Sequence, residues 1–110
     1  KPLSVSNQFV DAVQANDASA AYALTSDSFK KATPESSLES IISRVGPLLA
    51  GDEKLTNQSV KAVNGVNNAE FDYTVENDGK TLYMVVKLQE NNGEWQVYSF
   101  QSDDAPISSN

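Results

Sequence analysis

"AEFDYTVENDGKTLYMVVKL", residues 69 to 88, sets an Asp78-Gly79 pair between two runs in which every second residue is apolar or aromatic. Asp-Gly is a preferred pair for a tight type I′ hairpin, because both central residues of that turn need positive φ. A two-residue turn also fixes the register of the strands it joins. With the turn at Asp78-Gly79, Val75 faces Leu82, Tyr73 faces Met84, Phe71 faces Val86 and Ala69 faces Leu88. A slip of one residue would mix apolar with charged positions, so the pattern and the turn agree on one core face.

Working outward, Asn64-Gly65 and Asn92-Gly93 mark two more turns of the same kind, and the second half of the chain reads as an antiparallel meander. Its expected strands are 55–63, 69–77, 80–90 and 94–102. A turn at Asn92-Gly93 sets Leu88 opposite Val97, Val86 opposite Ser99 and Glu90 opposite Trp95. The expected core face is then Phe71, Tyr73, Val75, Leu82, Met84, Val86, Leu88, Trp95 and Val97. The far face falls into rows: Glu70, Lys87 and Tyr98; Asp72, Val85 and Phe100; Thr74, Tyr83 and Ser102. Glu70 and Lys87 can form a cross-strand ion pair there. Tyr83, Val85, Tyr98 and Phe100 cluster beside them as an apolar patch.

The first half carries helix signals. Ser6 is placed to cap a helix, with Val5 and Val10 as a hydrophobic staple and Phe9 and Val13 on one face. Asp17 can cap an Ala-rich segment, 18–24, and Thr33-Pro34-Glu35 is a helix start. From there Leu38, Ile41, Ile42, Val45, Leu48 and Leu49 follow one helical stripe, interrupted by Gly46-Pro47, where a kink or a break and restart is expected, with Gly51 as the final stop. Helices followed by strands make an α+β domain, with the helices across the core face of a four-stranded antiparallel sheet over residues 1–102. A polar, flexible tail is expected over 103–110.

Composition excludes several functions. The chain has 110 residues, a net charge of −7 and only eight Lys and Arg, so nucleic-acid binding is not expected. With no Cys and no His, thiol chemistry, Cys or His metal sites and imidazole-dependent hydrolysis are removed. The acidic turns lack the calcium-loop pattern, so neither a metal nor a cofactor is expected. No apolar run approaches the roughly 20 residues of a membrane-spanning helix, so the chain is not expected to insert directly into a membrane. The start at Lys1 reads as that of a trimmed piece or a mature fragment.

"FVDAVQANDASAAYALTSDSFKK", residues 9 to 31, followed at the far end by "GEWQVYSF", residues 93 to 100, resembles the ketosteroid-isomerase-like, or nuclear-transport-factor-2-like, superfamily and its cystatin-like cone. More narrowly it resembles that superfamily's small extracytoplasmic domains of unknown function. The resemblance spans about residues 5 to 102 and rests on hydrophobic spacing. It implies a domain of the bacterial cell envelope, or a secreted one, attached to a membrane anchor or a lipoprotein signal. Enzymes of the superfamily place an acid or a His inside the cone. Here the register turns Glu70, Asp72 and Glu76 outward, and no catalytic residue is expected.

The candidate ligand-binding residues are Tyr22, Tyr73 and Trp95. Each can orient a ligand inside or at the mouth of the cone, although packing is the commoner role of such residues. The patch of Tyr83, Val85, Tyr98 and Phe100 reads either as an interface with a second copy or another protein, or as a surface covered by the chain's own tail or first strand. "QSVKA", 58–62, lacks the Gly of the cystatin inhibitory loop, and Asn57-Gln58-Ser59 matches a glycosylation sequon of low information. The expected function is therefore a non-catalytic binding module, with an enzyme of the same fold as the alternative.

Overall fold

The computed structural model describes residues 1–107. Its elements run α1 (Pro2–Gln14), α2 (Ala18–Ala23), α3 (Asp27–Ala32), α4 (Glu35–Val45), then β1 (Asp52–Val63), β2 (Val66–Asn77), β3 (Lys80–Asn91) and β4 (Glu94–Asp103). The four strands form one antiparallel sheet in the order β1-β2-β3-β4. This is the expected α+β architecture. All three turns have the positive φ that a type I′ hairpin requires, at Asn64-Gly65, Asp78-Gly79 and Asn92-Gly93.

The helices depart from expectation in three places. Ser6 does not cap a helix, because α1 begins at Pro2, where a missing N–H costs nothing, and Ser6 lies buried within it. α3 was not foreseen; its cap is Ser26, whose Oγ accepts from Phe29 N at 3.2 Å. α4 follows Pro34, which is its N-cap, while Thr33 makes no capping bond. Asp17 does cap α2, accepting from Ala20 N at 3.1 Å.

At Gly46-Pro47 the helix ends instead of restarting, so Leu49 is buried while Leu48 swings out to 55% exposure. Gly51 then brings the chain against the end of β2, and a Cβ there would stand 2.2 Å from Glu76 O. That close approach allows no side chain.

The β2–β3 register is the one expected, from Ala69 opposite Leu88 through Val75 opposite Leu82. In the β3–β4 pair, Glu90 faces Trp95 and Leu88 faces Val97 as expected, but Val86 faces Phe100 and not Ser99. A β-bulge at Tyr98 takes up the extra residue. Val97 and Phe100 stand three apart, so strict alternation would send them to opposite faces; one inserted residue lets both face the core.

Phe9 on α1 supplies the partner. Its ring meets Phe100 edge-on, with centroids 5.3 Å apart and planes at 61°. Along the free edge of β4, Val97 N donates to Leu24 O at 2.9 Å and its carbonyl accepts from Ser26 N at 2.8 Å, so the α2–α3 link pairs with the strand just before the bulge.

A second bulge lies in β1. Counting from the Asn64-Gly65 turn would set Thr56 opposite Tyr73, but Leu55 takes that place and Glu53 faces Val75. Thr56 Oγ1 donates to Asp72 O at 3.1 Å across the gap. The core between helices and sheet contains Phe9, Val10, Val13, Leu38 and Ile42 from the helices, with Phe71, Tyr73, Val75, Met84, Val86, Leu88 and Val97 from the sheet, all at most 2% exposed. β4 ends at Asp103, one residue into the expected tail, and of that tail Ser108 to Asn110 lie outside the described residues.

Candidate functional site

Inside the cone the polar focus is Tyr73. Its hydroxyl donates to Asn7 Oδ1 at 2.8 Å, and with that proton used, Ser6 Oγ donates to the phenol oxygen, also at 2.8 Å. Ser6 falls in helical phase with Phe9, Val10 and Val13, and that spacing is the signal that could have placed it in the core rather than at a cap.

Burial pushes the Tyr73 phenol above its usual value; the Ser6 bond acts the other way, and the negative charges of Glu53 and Asp11 add to the rise. Glu53 itself is held above the ordinary carboxylate range, by desolvation first and by Asp11 second. The β1 bulge therefore brings a carboxylate toward the core side at one end of the cone. The register of the two central strands could not have revealed it, since Glu53 comes from the edge strand.

Trp95 occupies a different place. It lines an open groove of about 570 Å³ between the start of α1, the end of α2 and the β3–β4 hairpin, with Val5, Ala23 and Leu24 as apolar neighbours and Glu90 and Glu94 beside it. Neither Tyr22 nor Tyr73 lines this groove. The Tyr22 ring is half-buried beneath Lys30, whose Nζ lies 5.3 Å from the ring centroid. The three residues grouped as ligand-binding thus stand apart: Tyr73 in the core, Tyr22 under a lysine, Trp95 in a groove.

The far face of the sheet also differs from expectation. Phe100 is on the core side, packed on Phe9, so it cannot belong to an outer patch. Val85 does face outward, in a row with Asp72 and Gln101, yet it is only 3% exposed. Tyr83 and Tyr98 remain half-exposed. What the outer face offers instead is a polar trough of about 570 Å³, lined by Asn57, Ser59, Lys61, Asn68, Glu70, Lys87, Gln89 and Tyr98 among others. Glu70 and Lys87 stand directly opposite, as expected, and the ammonium acts on the carboxyl through space.

Among the described residues no group of three or more Cys, His, Asp or Glu is arranged to hold a metal ion, and no helix is long and apolar enough to cross a membrane.

With this geometry, the chain is similar to the solved structure of a designed NTF2-like protein, at a TM-score of 0.57 and 14% identity, covering 88% of this chain and 91% of that one. The fold is NTF2-like. No protein-family model matches the sequence, and no curated protein does.

Proposed function

We propose that this is a non-catalytic, extracytoplasmic binding module of a larger anchored or lipoprotein-type envelope protein, and that it engages its ligand or partner on its surface and not inside the cone. The observation that supports this reading is the state of Tyr73. The superfamily's enzymes work inside the cone, and here the phenol there is buried, with its proton given to Asn7 and its oxygen accepting from Ser6. A substrate would first have to displace both partners, leaving the buried Ser6 hydroxyl unpaired.

Trp95 is the surface element best built for recognition, because a half-exposed indole beside apolar side chains and two carboxylates offers both contact area and polarity. A partner protein or a second copy would meet the outer sheet face through Tyr83 and Tyr98.

Trp95 is the only tryptophan of the chain, so its fluorescence reports this groove alone. Titration with envelope glycans and with peptides from envelope proteins is expected to give a saturable change in Trp95 emission, with the amide signals of Phe71, Tyr73 and Met84 unmoved. Saturable binding that shifts those core amides and leaves Trp95 silent would contradict the reading. Protease accessibility of the full-length protein in intact cells tests the compartment.

A second reading, an enzyme of the same fold, draws on Glu53 and Asp11 acting on Tyr73. It requires the end of the cone to open, and a substrate turned over by the wild type but not by Glu53→Gln would favour it.

A further inference from the structure

Next to Glu70 of the outer trough, on the same strand, lies a buried polar atom with no hydrogen-bond partner. Asp72 Oδ1 is shielded from solvent and has no hydrogen-bond partner, while its sister Oδ2 accepts from Asn57 Nδ2 at a long 3.5 Å. A buried carboxylate oxygen left unpaired costs free energy comparable to a lost hydrogen bond, and a donor is the simplest remedy. A candidate donor is another acid. Glu70 lies two residues earlier on β2, hence on the same face, and its carboxyl is within hydrogen-bonding reach of Asp72.

We propose that Glu70 and Asp72 hold one proton between them, the protonated Glu70 carboxyl donating to Asp72 Oδ1, and that this proton sets the charge of the outer trough.

Every strand of the sheet contributes a group that bears on the pair. Lys61 from β1 and Lys87 from β3 favour ionised Glu70; Asp72 on β2 opposes it, and Tyr98 from β4 lies close enough to feel its charge. Burial and the Asp72 carboxylate win over the two lysines, and Glu70 is held above the ordinary carboxylate range. Tyr98, raised by burial and then by Glu70, is consistent with a carboxyl close beside it.

With the proton in place, two lysines face one negative charge and the trough is net positive within an acidic chain. Once the proton leaves, the four charges cancel. The pH dependence of stability follows the same sign. A carboxyl whose folded value lies above its unfolded one binds the proton more tightly when folded, so stability falls as pH rises from the ordinary carboxylate value through the folded one.

Side-chain carboxyl carbons observed by NMR across a pH titration test the pair directly. The expected result is that Glu70 Cδ titrates above the ordinary glutamate range and that Asp72 Cγ responds to the same step, as two groups sharing a proton must. In Asp72→Asn the Glu70 midpoint should move down toward the ordinary value. In Glu70→Gln, whose amide can donate to Asp72 Oδ1 without a titratable proton, the shared step should vanish while the fold is retained. Glu70 titrating at or below the ordinary value, or unmoved by Asp72→Asn, would overturn the proposal. So would an Asp72 Cγ titration in Glu70→Gln that still shows the upper step.

Discussion

Tyr73 carries a larger share of this structure than its phenol suggests. Its ring sits in the sheet's core face opposite Met84, and its hydroxyl ties the sheet to α1 through Ser6 and Asn7. Tyr73→Phe would leave Ser6, wholly buried, without its partner, and the penalty for an unpaired buried hydroxyl is about 1–3 kcal/mol. Replacing both ends is cheaper than replacing one, so Tyr73→Phe combined with Ser6→Ala should recover part of that loss. Denaturant unfolding of the two single variants and the double one measures the coupling, and strictly additive losses would mean that the bond contributes nothing. The sequence made Tyr73 visible as an inward residue, because its hairpin partners fix its face. It did not reveal that the hydroxyl was satisfied, because Ser6 also fits a capping pattern and only the helix's earlier start at Pro2 separates the two roles.

At the scale of elements, turns were legible and bulges were not. Each Asn-Gly or Asp-Gly pair announces its hairpin through the positive φ it accepts, and the β2–β3 ladder follows residue for residue. A bulge has no such marker in this chain. Tyr98 and Thr56 are ordinary strand residues, and what makes them bulge is the packing elsewhere of Phe9 on Phe100 and of Leu55 beside the core. One unforeseen bulge is enough to move Phe100 from the outer face to the inner and so to dissolve most of the expected apolar patch. The bulge predicts an order of stabilities. Phe100→Ala should cost about 3 kcal/mol, the low end for a buried Phe, since the ring is only partly covered. Tyr98→Ala, on the outer face, should cost less than about 1 kcal/mol, within the usual range for surface changes. Thermal or denaturant unfolding that ranks the two in the reverse order would restore the unbulged register. α3 escaped notice for a related reason: six residues with no fully buried side chain carry no apolar period, only the Ser26 cap.

For the molecule as a whole, helices and sheet enclose a core of large side chains, while the open space at the surface includes the Trp95 groove and the trough on the sheet's far side. This arrangement separates stability from recognition. The residues that hold the cone shut are apolar or internally bonded, whereas those lining the groove and the trough are mixed and polar. With the large core side chains at most 2% exposed, the cone is solid. Xenon, which enters apolar cavities of modest size, tests it without any knowledge of the natural ligand. Under xenon pressure the methyl signals of Met84, Val75, Val86 and Leu88 are expected to show no saturable shift. A saturable shift centred on Met84 would reveal an interior pocket and contradict it.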